Sequence, residues 1–367
     1  MNLYVHVPFC HGKCDYCAFY SEPAFDASLW NGYLEKLKRD LDRFKLDSPI
    51  RTLYFGGGTP TLPDAPEIEK LLNLFQSRFE FAPDAEITME CNPETMNAEK
   101  ASAMARMVNR VSMGAQSFSP ELLAVIGRTS RDPEAVFRAF EMLRSAGIAN
   151  IGFDLMYALP DETMDMLESD LKTALSLEPA HISAYSLTLE EQTPLADKRN
   201  LAIPSDDLAA DMWERIGSFL ASTHPRYEIS NYAQTNRECR HNQNVWHGEP
   251  YFGFGPAASS FDGTIRKTEV SDLRRWIAGE AAEPDEIPRR ERIAEILMMG
   301  FRTVRGWRED EFLRAAGVSW DIFPSIAELV SMGLLERCGN VLRPTPRGLA
   351  CWNAVAEELL EDSMRIE

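Results

Sequence analysis

At 367 residues the chain is long enough for about two domains, and 44% hydrophobic with 26% charged residues is the balance of a globular protein. A formal charge of −19 argues against nucleic acid as a main partner, because phosphate neutralisation needs clustered Lys and Arg. No run approaches the roughly 18 apolar residues of a transmembrane segment, and the opening MNLYVHVPFCHGKC lacks the basic start of a signal peptide, so a cytoplasmic location is expected.

Short apolar runs at 3–7, 52–55, 87–90, 110–114, 151–156 and 181–187 alternate with helical patterns. After the first run, Leu29, Trp30, Tyr33, Leu34, Leu37 and Leu41 recur at helical spacing, with Asp26 where an N-cap is expected. Further helices are predicted over 64–79, 97–108, 133–146 and 164–177. Six strand–helix repeats imply parallel strands joined by crossovers. Polar residues gather after successive strands: Cys10–Cys17, Gly56–Thr59, Glu90, Gln116 and Asp154. Barrel enzymes build their sites on that side of many strands, whereas an open sheet uses one switch point. The expected fold is therefore α/β, a partial (β/α)6 TIM-type barrel over 1–200. A helix over 206–223 and a Gly- and aromatic-rich stretch at 227–261 lie within a barrel-completing segment, 201–280. The acidic stretch 279–288 reads as a linker. A small α-rich module follows at 289–367.

Seven cysteines are present, three of them within eight residues. With no secretory signal, metal ligation fits better than a disulfide scaffold. Thiolates favour iron–sulfur clusters, zinc or copper(I). A closed zinc site needs a fourth ligand, which His6 or His11 could supply; a closed iron–sulfur cluster takes four cysteines, and no fourth is nearby. Spacing alone leaves both open. The glycine run Gly56-Gly57-Gly58-Thr59-Pro60 permits close backbone approach to a ligand, or marks an ordinary turn.

Together these motifs resemble the radical SAM superfamily, whose Cys-x3-Cys-x2-Cys signature is matched by Cys10, Cys14 and Cys17. The resemblance implies a 4Fe-4S cluster held by these three cysteines. Its open iron would chelate S-adenosylmethionine (SAM), which an electron from the cluster cleaves to a deoxyadenosyl radical. It further implies SAM contacts at Tyr4, Tyr16, Gly57, Gly58, Thr59, Glu90, Gln116, Arg128 and Asp154. In chemical terms, Arg128 offers a planar charged fork to a carboxylate, and Glu90 and Asp154 accept hydrogen bonds.

The likeness narrows to the branch of oxygen-independent coproporphyrinogen III oxidases and HemW-type haem chaperones, and it covers nearly the whole chain. The oxidases continue the motif as Cys-x-Cys and carry an N-terminal extension. This sequence has Cys17-Ala18-Phe19 and starts at the first strand, as HemW-type proteins do. His241 to Trp246 resembles that type's haem-handling segment, implying haem contacts at His241 and Trp246; a neutral imidazole can ligate iron and an indole can pack on a porphyrin. Two positions depart from the type: Val245 replaces a tyrosine and Ser259 a histidine. The C-terminal module resembles a small winged-helix-like domain, for which the acidic charge argues against DNA. The expected role is haem transfer to an unidentified acceptor protein. The electron donor is also unidentified. Coproporphyrinogen III decarboxylation, or radical chemistry on another substrate, is the alternative.

Overall fold

A computed structural model describes residues 1–282 and 284–363. Residue 283, inside the expected linker, and 364–367, at the end of the expected C-terminal module, lie outside the described residues.

Six strands run parallel in sequence order: β1 (Asn2–Val7), β2 (Ile50–Gly57), β3 (Phe81–Cys91), β4 (Arg110–Gln116), β5 (Asn150–Tyr157) and β6 (His181–Ser186). Each crossover carries a helix, as the repeats predict. The first helix, Ala27–Arg43, starts at Asp26, whose carboxylate accepts the Ser28 and Leu29 amides, and buries Trp30, Tyr33, Leu37 and Leu41 against the sheet. That satisfies orphan N–H groups at one end and removes an apolar stripe from water. The predicted helices appear as Ala65–Gln76, Ala98–Met104, Pro133–Ser145 and Met164–Ser176.

The sheet extends further than the six runs indicate. Beyond β6 lies antiparallel β7 (Asn231–Ala233). On the other side β8 (Tyr251–Phe254) pairs parallel with β1, followed by antiparallel β9 (Ser259–Phe261), β10 (Arg266–Thr268) and β11 (Pro284–Asp285). The strand order runs from β11 to β7 without closure. Inward side chains from β2 through β7 nevertheless line one cavity, so the sheet curls into a partial barrel. Two features differ from the sequence reading. The expected linker contains the edge strand β11, and the Gly- and aromatic-rich stretch contains the helix Arg240–Trp246.

A second core, built on Leu297, Phe301, Trp307, Phe312 and Leu342, belongs to the C-terminal helices. These carry a small antiparallel sheet of β12 (Trp307–Arg308), β13 (Leu335–Cys338) and β14 (Val341–Pro344), in the order β12-β14-β13. Among the described residues no helix is long and apolar enough to cross a membrane.

Candidate functional site

The loop after β1 holds the three clustered cysteines. Its base is pinned by Cys10 N donating to Glu22 O (3.0 Å) and Glu22 N donating to Pro8 O (2.6 Å). Phe9 anchors it from below, fully buried against Trp30 and Tyr33. Cys17 N donates to Cys14 O at 3.1 Å, a tight turn that brings the second and third thiols to one side. Cys10, Cys14 and Cys17 are free thiols lining a cavity of about 720 Å³ at the C-terminal ends of the parallel strands.

The glycine run explains why this loop can lie where it does. Gly58 N donates to Val7 O (2.8 Å) and Thr59 N to Phe9 O (2.7 Å), so the end of β2 is laced to the cysteine loop. A Cβ on Gly58 would stand 2.7 Å from Phe9 O, and Gly57 has φ +107° with the His6 ring 2.6 Å from a Cβ position. Only glycine satisfies both demands. Thr59 Oγ1 lies 3.5 Å from Cys10 Sγ and accepts from Asn92 Nδ2 at 3.0 Å.

Deeper in the barrel, strand register assembles a polar row. Glu90 pairs with Ser112, Gly114 with Asp154, Asp154 with Ser183, and Ser183 with Asn231. Tyr54 Oη and Gly57 N donate to Glu90 at 2.9 and 3.1 Å. Ser112 Oγ reaches both Asp154 oxygens at 3.0 and 3.1 Å. Enclosure in the barrel, and then the charge of Asp154, push the Glu90 carboxyl up to about 7. Enclosure likewise raises Asp154. A β4 irregularity at Gly114/Gln116, with Gln116 at φ +66°, turns that side chain into the cavity.

Eight of the nine expected SAM contacts, Tyr4 excepted, line this one cavity. Arg128 departs from expectation in detail. Its Nη1 donates to Tyr16 Oη (3.0 Å), its Nη2 to Gly114 O (2.7 Å) and Asn92 Oδ1 (3.2 Å), and Cys14 Sγ lies 3.9 Å away. The fork expected to face a carboxylate is largely committed to protein partners and braces the cysteine loop. Tyr4 lies elsewhere, its hydroxyl 3.2 Å from His6 Nδ1.

Tyr4 opens instead onto a second cavity, about 630 Å³, beside the first. Its walls include His241, Val245, Trp246, Ser259, Tyr251 and Phe19, so the structure brings the two expected haem contacts together with the two departing positions and with Phe19. Lys13, Ala18, Phe19 and Asn242 line both cavities. His241 is buried, and its ring is pushed down to about 3, first by burial and then by Arg110, which keeps the imidazole neutral. Ser259 Oγ is engaged with Thr268 Oγ1 at 2.7 Å.

Sequence reasoning missed several cavity groups. Tyr54, Ser112 and Ser183 are polar residues inside buried strands, and that anomaly was their only signal. Arg110 lines the first cavity while its Nε and Nη1 are buried with no hydrogen-bond partner among the described residues.

The cavity's chemistry suits the cofactors of a radical SAM protein. Three thiols share one loop; of the other four cysteines, Cys91 also lines this cavity but comes from β3 and donates to Asn92 O, Cys239 lies beside Glu86, and Cys338 and Cys351 are exposed. His6, a possible fourth ligand for zinc, uses both ring nitrogens on Tyr20 O and Tyr4. His11 is exposed. Among the described residues no three His, Cys, Asp or Glu side chains are grouped to hold a single ion. Three free thiols from one loop, all lining one cavity, suit a cluster. The buried carboxylates and backbone amides beside it suit a zwitterionic nucleoside.

A model described as "Radical SAM superfamily" matches residues 4–174, and one described as "HemN C-terminal domain" matches residues 287–351. A protein of Escherichia coli (strain K12) named "Heme chaperone HemW" is 33% identical, covering 99% of this chain and 98% of its own. The chain belongs to the HemW family of the radical SAM superfamily. Proteins of the same name from Lactococcus lactis and Bacillus subtilis are 32% and 34% identical, over 99% and 96% of this chain and 98% and 97% of theirs. The solved Escherichia coli coproporphyrinogen III oxidase (HemN) superposes with a TM-score of 0.84, covering 98% of this chain and 89% of its own at 22% identity, which shows a shared fold. As a radical SAM protein, this HemW-family chain uses a 4Fe-4S cluster and SAM.

Proposed function

We propose that the chain is a haem chaperone, holding haem in the second cavity and passing it to an acceptor protein. The observation that carries this reading is the company kept in that cavity. An imidazole held neutral, an indole, a valine and an exposed phenylalanine meet against the wall of the cysteine loop. A porphyrin asks for apolar faces and an axial donor. Its relatives over the full length are named for the same role.

In this reading Cys10, Cys14 and Cys17 hold the cluster. Tyr16, Gly57, Gly58, Thr59, Glu90, Gln116, Arg128 and Asp154 surround SAM. When bound, the cluster supplies an electron to SAM. The protein's own part is positional. Arg128 and Thr59 fix the cysteine loop, Glu90 and Asp154 present carboxylates, and Tyr54 and Ser112 orient them.

Haem titration into anaerobically reconstituted protein tests the reading. A saturable Soret shift at one haem per chain is expected, with His241→Ala and Trp246→Ala weakening it. No saturable shift removes the basis of the chaperone role. Protoporphyrinogen formed from coproporphyrinogen with SAM turnover makes the oxidase reading correct instead.

A further inference from the structure

The chain contains six histidines, and the way His241 is bonded sets it apart. His6 bonds Tyr20 O through Nε2 and Tyr4 Oη through Nδ1. His224 bonds Thr223 Oγ1 and Pro179 O, and His247 bonds Gln243 O and Gly306 O. Each of these three has a polar protein atom within hydrogen-bonding distance of both ring nitrogens. His181 bonds through Nε2 and seals its Nδ1 from solvent, and His11 is exposed. His241 is buried like the others but bonds only through Nδ1, 2.8 Å from Thr52 Oγ1. Its Nε2 has no hydrogen-bond partner among the described residues and is not among the sealed atoms, so it opens onto the second cavity.

The proton on Nδ1 can be assigned from the surrounding network. Asn2 donates through Nδ2 to Glu249 Oε2 (3.1 Å) and Pro250 O (3.0 Å), which fixes the amide's orientation. Its Oδ1 therefore only accepts, taking one hydrogen from Asn244 Nδ2 (2.8 Å) and one from the Thr52 hydroxyl (3.0 Å). A threonine hydroxyl has a single proton. Spent on Asn2, it leaves Thr52 Oγ1 facing the imidazole with a lone pair, so Nδ1 must carry the hydrogen. A neutral imidazole has only one N–H, so Nε2 carries the free lone pair. The ring is also held through its own backbone, because Glu86 Oε1 accepts His241 N at 2.9 Å.

We infer that Thr52 and Asn2 are positioning residues that hold His241 as its Nδ1–H tautomer, presenting Nε2 as an axial donor to the metal of a tetrapyrrole in the second cavity. The inference rests on the haem reading for the identity of the ligand, while the tautomer rests on the protein alone. A donor bond from the far ring nitrogen to a fixed oxygen sets ring orientation and raises ligand basicity, and losing such a partner commonly costs about 10–100-fold in metal affinity.

The test has two arms. In the full chain with its cluster reconstituted, 15N NMR of labelled histidine should show His241 with a protonated Nδ1 and an unprotonated Nε2. The opposite pattern overturns the inference. In the second arm haem is titrated into wild type, Thr52→Ser, Thr52→Val and Asn2→Ala. Wild type and Thr52→Ser should bind alike and give the same Soret signature. Thr52→Val should bind about 10–100-fold more weakly. Asn2→Ala frees the Thr52 proton to turn towards Nδ1 and should lose the signature with Thr52 still present. It serves as the second variant should Thr52→Val fail to fold. Wild-type affinity and spectrum in both variants overturn the positioning role and leave the haem reading intact. No haem binding by wild type overturns the haem reading and the ligand role with it, while the NMR arm still decides the tautomer.

Discussion

Glu90 carries the most informative charge in the first cavity. Its folded carboxyl titrates near 7, against an ordinary 4.5. The folded protein thus binds this proton more tightly, so the group's contribution to stability falls as pH climbs from about 4.5 to 7 and stays lost above that. A bound ammonium group reverses the preference, since it favours the carboxylate. SAM affinity is therefore expected to rise with pH through about 7, with proton release on binding, and Glu90→Gln should flatten the profile. Calorimetry in buffers of different ionisation enthalpy measures that proton directly; a flat wild-type profile would place the ammonium elsewhere. At the thiols, Cys14→Ala should strip iron and sulfide from reconstituted protein, whereas Cys91→Ala and Cys351→Ser should retain both. Iron retained by Cys14→Ala would remove that cysteine from the ligand set. These cysteines were legible in the sequence because their spacing is local. Tyr54, Ser112 and Ser183 were not, because parallel strands buried on both faces read as apolar runs, and their place depends on which face curls inward.

The cysteine loop and the end of β2 behave as one element, tied by the Gly58 and Thr59 amides. Gly58→Ala forces backbone to move, since its Cβ would meet Phe9 O, Phe9 N and Val7 O within 3 Å. The variant should lose about 1–3 kcal/mol of stability, the usual cost of overpacking, read from the urea midpoint. Its cluster content should fall with it. Unchanged stability would show that β2 can retreat from the loop without cost. The six parallel strands and their crossover helices were readable because apolar period and length agree. The helix Arg240–Trp246 was not. Seven residues give little periodicity, and its first amides bond to Glu86, more than 150 positions earlier in the chain. Edge strands as short as two residues, such as β11, leave almost no pattern to read.

Across the molecule, Arg302 joins the C-terminal module to the barrel. Its Nε lies 2.9 Å from Glu228 Oε2, and its guanidinium sits 5.4 Å from the Trp246 ring centroid. Glu228 is fully buried and also accepts Ser230 N and Asn231 Nδ2, both at 2.6 Å. Arg302→Ala leaves that carboxylate without its cation. The expected cost is about 3 kcal/mol, the low end for breaking a buried pair, because the arginine side chain is 22% exposed. The unfolding transition should move to lower denaturant, and haem affinity should drop as Trp246 loses its brace. A shift within error would mean that the hydrogen bonds from Ser230 and Asn231 suffice to hold Glu228 without the arginine.

Phe19, 71% exposed, stands with Lys13, Ala18 and Asn242 between the two cavities. A ligand that displaces this shared wall from one side would move it for the other, and any coupling made in that way is reciprocal. Whatever factor SAM applies to haem affinity, haem must apply to SAM affinity, in the same direction and to the same extent. For a carrier, such a coupling would let SAM occupancy set how readily the cargo is released, with no bond in the haem broken.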